Sequence, residues 1–386
     1  MAEDGVEYSM EQKMASEIKK ISGTHSVDIP LIDAELRHLW EDEASDQLGA
    51  NSVPSTRVCT ATLIVFAACN DLHITIYKTI ESITADHALR VICLFADKDA
   101  KEASADITGF CRLIDDGKMH ICCEQITITA GINDIAELAS AAAELITPGL
   151  PVFLWWMCNS RIGSDSYEDL VSLADKVIFD SAIPAASDNA FRDMTSQMDL
   201  HKNISFQDLN WHRITNWREA LARLFDQQQY NPYLSEIKNI EIHYPQNDTN
   251  GAYHSAYLAG WFQSRMGWRI QKSGMGNDGI RRIDMAKNAE AAVSIILNPD
   301  ISDSQFTGNI GWLDMTCEDG TRIQLKYMPD AGTILSDTVH SDGRRSVYEY
   351  LFESLLIEEM ISIELRKLAE DMIFCEALQS AKEMLA

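Results

Sequence analysis

Basic residues are scarce in this 386-residue sequence: 32 Lys and Arg stand against 59 Asp and Glu, a net charge of −27. So acidic a surface repels phosphate backbones and anionic lipid, so neither a nucleic acid nor a membrane is expected as partner. A partner with a basic patch is allowed, with simple solubility as the plainer reading of the charge. No apolar run approaches the roughly 18 residues needed to span a bilayer. The opening MAEDGVEYSM lacks the basic and apolar regions of a signal peptide, so a cytoplasmic protein is expected. No CxxC pair occurs; the nine cysteines, an odd number, sit mostly in apolar runs, as reduced, buried thiols do. No Ser/His/Asp or Cys/His grouping stands in a supporting context, and there is no internal repeat. No catalytic, cofactor-binding or metal-binding residue is therefore assigned.

What is present is a chain too long for one ordinary core and apolar enough, at 46%, to be globular. Residues 1–50 carry 12 acidic and 4 basic residues and read as helices around Met10–Ile21 and Ile32–Glu43. Val58–Ala68 and Arg90–Ala96 read as buried strands, as does Leu72–Ile83, followed by Met119–Thr129. Asp134 and Glu137 form a capping box ahead of the stripe Ile135, Leu138, Ala139, Ala142, Leu145 and Ile146. Leu150–Met157, Ser166–Ala174 and Lys176–Asp180 continue as strand, helix and strand. This alternation predicts an α/β domain with a largely parallel sheet over 1–185. The polar stretch Ser181–Ser205 marks the boundary.

Over 186–386 the pattern is α+β. Asn216 and Glu219 are placed as caps of a helix with the stripe Trp217, Ala220, Leu221, Leu224 and Phe225. Ile237–Tyr244 and Ala291–Leu297 read as strands, and Ala252–Arg265 as a helix. Asn309–Cys317 and Thr321–Met328 flank the turn Glu318-Asp319-Gly320, which predicts antiparallel strands. From Arg344 to Ala386 there is no Gly or Pro, and apolar residues recur at helical spacing, so a C-terminal helical segment is expected.

Four features invite chemistry and are weighed against plainer readings. GMGNDG within Lys272–Gly279 matches the dinucleotide fingerprint formally, but Ile280–Asp284 opens no helix behind it, so a loop is expected. Ser16-x-x-Lys19, Ser187-Asp188-Asn189 and Lys272-Ser273-Gly274 echo the signatures of penicillin-recognising enzymes at spacings far too wide. His120, Cys122 and Cys123 cluster, yet neighbouring strand residues face opposite ways, leaving too few ligands for zinc. Cys122 and Cys123 remain the redox-sensitive candidates, which requires an exposed thiolate. Trp155 and Trp156 read as core, with a partner-facing tryptophan as the alternative. Trp211, Arg213 and Arg218 fall off the apolar stripe and lie just past the boundary. Trp and Arg are favoured at hot spots, so these three are the candidate partner-binding residues, with local carboxylate pairing of the arginines as the competing reading.

Several stretches together resemble the OpcA family of glucose-6-phosphate dehydrogenase assembly proteins. They are Pro54–Val58, the strand Arg90–Leu94, His120–Ile126, Leu150–Trp156, Ala174–Ser181, and Asp208–Trp211 continuing through Thr215–Arg218. The resemblance implies a cytosolic, non-catalytic protein that binds glucose-6-phosphate dehydrogenase and favours its active oligomer, feeding NADPH production in the oxidative pentose phosphate pathway. It also implies, for cyanobacterial members, redox control through cysteines that include C-terminal ones. Here Cys375 has no near cysteine neighbour, and the chain departs from that pattern. The alternative from another class is a small-molecule enzyme with its site at the carboxyl ends of the parallel strands.

Overall fold

The computed structural model describes residues 18–20, 25–38, 55–57, 59–68, 73–114, 119–157, 167–183, 190–288 and 292–386. The chain forms two compact units. The first holds Met1–Phe179, Gln197–Phe206 and Ile357–Leu368; the second holds Asp180–Ser196, Gln207–Leu356 and Ala369–Ala386. The sequence reading makes one cut at 185, whereas the units part at Phe179 and exchange two later segments.

The first unit is built on a largely parallel sheet. Its parallel core runs Met119–Gly131, Leu89–Asp97, Ala61–Ala67, Val152–Met157 and Lys176–Phe179, with Ser104–Ile114 antiparallel on one side. Ala61–Ala67 and Val152–Met157 are buried on both faces, which explains why their sequences are continuous apolar runs. Trp155 and Trp156 are both interior, and Trp156 packs in a cluster with Phe66 and Tyr167. The helix Ile135–Leu145 buries Ile135, Leu138, Ala139, Ala142 and Leu145 as expected, but Ile146 is its half-buried, extended C-cap and Asp134 caps it without a side-chain hydrogen bond.

Two expectations for this unit need correction. Leu72–Ile83 is not a strand; His73–Asp86 is a helix. Its β-branched residues suggested a strand, but Ile76, Thr79, Ile80 and Ile83 recur at helical spacing and are the buried ones. Near the start, Ile18–Lys20 is a strand paired with Arg112–Phe110, because an edge partner outweighs the weak helical propensity of so short a segment. The rest of Met10–Ile21 lies outside the described residues. Of Ile32–Glu43, residues 32–38 are helical and the remainder is likewise outside them.

The helix Ile357–Leu365 packs on His73–Asp86 within this unit. Lys176 and Glu364, 1% and 0% exposed, form an ion pair at 2.5 Å, and Lys176 Nζ also donates to the Lys367 carbonyl at 3.0 Å. So deeply buried a charge persists only when paired and hydrogen-bonded, so this contact fastens the late segment to the early strand.

The second unit holds an eight-stranded sheet in the order Arg269–Met275, Arg281–Ala286, Ala292–Ile301, Ile237–Pro245, Trp312–Cys317, Arg322–Met328, Thr333–Val339 and Arg345–Leu351. All neighbours are antiparallel except Ile237–Pro245 with Ala292–Ile301. The helices Thr249–Met266 and Met372–Leu385 pack together so closely that a Cβ on Gly260 would overlap the Ala377 carbonyl. The C-terminal stretch is helical only in part: Arg345–Leu351 is a strand, its exposure alternating residue by residue along Thr333–Val339. Lys272–Gly279 lies in a β-hairpin closed by Gly279 at φ 75° and by the Arg282–Asp278 pair, so no helix N-terminus follows its glycines. Ser16 and Ser187–Asn189 lie outside the described residues.

Candidate functional site

The strand Ser205–Asp208 runs into the short helix Leu209–Arg213 of the second unit, whose N-cap Asp208 accepts from the Asn210 amide. A longer helix, Thr215–Phe225, follows at once and buries Trp217, Ala220, Leu221, Leu224 and Phe225 as its periodicity predicts. Asn216 and Glu219 do not cap it. Ile214 holds the cap position, and Asn216 instead exchanges hydrogen bonds with the Glu353 backbone.

Polar side chains from these helices and from Thr249–Met266 meet in a shared buried network. The Asp208 carboxylate accepts from Ser181 Oγ at 2.5 Å, Tyr257 OH at 2.7 Å, and the Ser181 and Asn210 amides at 3.0 Å. Asn210 Nδ2 donates to Ser181 Oγ, while its Oδ1 accepts from Arg213 Nη1 at 2.7 Å and from His254 Nε2 at 2.9 Å. An amide oxygen only accepts, so His254 carries its proton on Nε2. Arg213 grips Asp180 end-on, with Nη1 at 2.6 Å and Nη2 at 2.8 Å.

Burial sets the electrostatics. It pushes the Asp208 carboxyl up to about 6, with the Asp180 charge adding to the effect, against hydrogen bonds from Ser181 and Asn210 that oppose it. Burial also pulls His254 down to about 3, helped by the Arg213 charge, so the imidazole is neutral. For Arg213, burial is more than offset by Asp180, and its pKa rises.

The three candidate contact residues fall in this region but differ in access. Trp211 is 1% exposed, donates from Nε1 to Asp371 Oδ2 at 3.2 Å and packs against Tyr257 and Phe374. It faces the interior, held against the helices Thr249–Met266 and Met372–Leu385 by those two rings. Arg218 stacks over the Trp211 ring at 3.7 Å and donates to Thr215 Oγ1, and burial lowers its pKa to about 10. Arg213 and Arg218 are both half-buried, the Arg213 side chain being 25% exposed, while Trp211 is interior.

Arg213 lines a cleft of about 290 Å³. Its neighbours there are His212, Asn250, Asn309, Phe352 and Glu353, with Ala182 and Leu355 adding apolar surface. Sequence reasoning missed Asn250, Asn309 and Glu353, since each comes from a different loop or helix end and carries no spacing signal.

Of the redox candidates, Cys123 is buried, donates toward the His87 carbonyl and has its pKa raised by burial, which holds it as a thiol. The Cys122 side chain lies outside the described residues. Among the described residues no group of three or more His, Cys, Asp or Glu is placed to hold a metal ion. No described helix is long and apolar enough to cross a membrane.

The first unit raises one further question. Its strand order reverses between Ala61–Ala67 and Val152–Met157, the switch point where parallel sheets bind dinucleotides. The turn after the first strand must then be glycine-rich, so that backbone can approach the pyrophosphate. The sequence that follows Ala67 is Ala68-Cys69-Asn70-Asp71-Leu72-His73, without glycine, and its residues 69–72 lie outside the described residues.

The arrangement defines a class: a two-unit protein with a largely parallel sheet in one unit and an α+β second unit that carries a polar cleft. Residues 80–196 match the N-terminal domain, and residues 204–378 the C-terminal domain, of the family described as "Glucose-6-phosphate dehydrogenase subunit". Together they cover most of the chain, which belongs to the OpcA family of glucose-6-phosphate dehydrogenase assembly proteins. An OpcA protein of Synechocystis sp. is 30% identical over 49% of this chain, and one of Synechococcus elongatus is 29% identical over 43%. Those matches span 39% and 36% of the relatives' own lengths, well under half. Among solved structures, myo-inositol 2-dehydrogenase from Lactobacillus plantarum aligns over 84% of this chain and 96% of its own, at 11% identity and a TM-score of 0.42. A likeness that distant carries no argument about chemistry.

Proposed function

We propose that this chain is a non-catalytic assembly factor and allosteric activator of glucose-6-phosphate dehydrogenase, supporting NADPH production in the oxidative pentose phosphate pathway. The observation that carries this reading is the family match over both units. Such a protein needs no chemistry of its own. It need only bind one state of the dehydrogenase better than another, and about 1–3 kcal/mol of coupling shifts affinity from several-fold to about a hundredfold. The acidic chain favours a basic patch on the partner.

The enzyme alternative, with a site at the strand carboxyl ends, is weakened in its dinucleotide-dependent form by the lack of glycine in the sequence Ala68–His73. For the contact surface, the half-exposed Arg213 and Arg218 are the proposed points of touch, with the buried Trp211 beneath the Arg218 guanidinium. The testing experiment is steady-state kinetics of the cognate dehydrogenase with and without this chain, in reducing and oxidising buffer. The reading expects a change in KM for glucose 6-phosphate or in kcat at saturating chain. Superimposable curves in both buffers would count against it.

A further inference from the structure

We propose that the cleft beside Arg213 in the second unit is a binding site for a small, uncharged polyhydroxylated compound of monosaccharide size. The Arg213 guanidinium anchors the site. It has five N–H donors, of which three are committed: both on Nη1, to Asp180 and Asn210, and one on Nη2, to Asp180. The Nε–H and the outer Nη2–H remain, and they point from the same edge. No described residue accepts from either, so the exposed edge of Arg213 is a fixed two-pronged donor on the cleft wall.

The charge balance selects the ligand. The Arg213 charge already faces Asp180, and Glu353 brings a negative charge to the same cleft. The neighbouring start of the helix Thr249–Met266, which would otherwise favour an anion, is occupied by its own cap. Asp248 accepts there from the Asn250 amide at 3.0 Å and from the Gly308 amide at 2.6 Å. A phosphate or other anion therefore gains no net attraction on entry.

Neutral hydroxyls fit better. The amide side chains of Asn250 and Asn309 line the cleft, make no side-chain hydrogen bond within the described structure, and both donate and accept. Glu353 supplies an acceptor for hydroxyl protons, and Phe352 an apolar face for the carbon skeleton. Small-molecule sites run from roughly 300 to 1,000 Å³, so a cleft just under that range suits a single sugar or cyclic polyol and not a dinucleotide. The site stands on its own geometry, and its failure would leave the partner-protein reading where it is.

The test is titration of the full chain, by calorimetry and by protein-observed NMR, with glucose, ribose, glucitol, myo-inositol and glucose 6-phosphate. Saturable binding of at least one neutral compound is expected, and glucose 6-phosphate should bind no tighter than glucose. Removing one hydrogen bond to a neutral ligand, by Asn250→Ala or Asn309→Ala, should weaken binding about three- to tenfold without moving the melting temperature. These two variants spare the buried network, so loss of folding does not confuse the result. Absence of saturable binding by every neutral compound at tens of millimolar overturns the proposal. So does tighter, salt-sensitive binding of glucose 6-phosphate, or binding that neither variant alters.

Discussion

Replacing Arg213 with Ala asks whether the pair with Asp180 is a structural requirement of the second unit. Asp180 is 5% exposed, and Arg213 supplies two of its hydrogen bonds; within the described residues only the Ala182 amide, at 3.0 Å, remains once Arg213 is gone. Asn210 Oδ1 loses a donor at the same time. Stranding a buried carboxylate in this way costs about 3–5 kcal/mol. Arg213→Lys keeps the charge but not the planar fork, so an intermediate loss is expected. Removing both charges, as in Asp180→Asn with Arg213→Met, should recover part of the loss, because the cost lies in the unpaired ion more than in the missing attraction. The assay is urea unfolding, with hydrogen exchange followed in peptides spanning Asn210–Arg213 to localise the effect. If Arg213→Ala stays within about 0.5 kcal/mol of the parent, as surface changes usually do, the pair is not structural and the reasoning fails.

Acid should destabilise this unit through His254. Its folded pKa of about 3 lies below the ordinary 6.5, so the unfolded chain takes up a proton that the folded chain refuses. Its contribution is therefore complete above 6.5 and is lost as pH falls toward 3. Asp208 runs the other way, with a folded value of about 6 above the ordinary 3.8, so its contribution is present below 3.8 and lost as pH rises through 6. Melting temperatures between pH 4 and 7 should fall less steeply toward acid in His254→Gln than in the parent, and equal slopes would exclude this assignment. Gly260→Ala should destabilise by about 2 kcal/mol or more, because backbone at Ala377 must move to admit the methyl; calorimetry checks this. Cys123 should resist iodoacetamide at neutral pH in the folded chain and react once urea is added, as read by peptide mass spectrometry.

What the sequence made legible follows from where the determining forces are local. Ala61–Ala67 and Val152–Met157 are buried on both faces, so continuous apolar runs revealed them. The stripe from Trp217 to Phe225 was equally plain, because one helix face decides it. His73–Asp86 was misread because its isoleucines and threonines favour strands locally, while packing on one face decided for a helix. Arg345–Leu351 was hidden for the converse reason: its apolar residues fit a helix, but hydrogen bonds to Thr333–Val339 claim it. The candidate site was half visible. The tract Asp208–Arg218 stood out by composition, yet its partners Asp180, Ser181, His254, Tyr257 and Asp371 are distant in sequence. That distance is also why Trp211 looked like surface until its ring was placed under Arg218.

Binding of this chain to the dehydrogenase is tested most directly by a mass measurement. The cognate glucose-6-phosphate dehydrogenase and this chain would be mixed at micromolar concentration and passed over a sizing column with multi-angle light scattering. The account predicts a species heavier than either protein alone, containing both, or a shift of the dehydrogenase to a larger oligomer. Two peaks at the masses of the separate proteins, in reducing and in oxidising buffer alike, would contradict it.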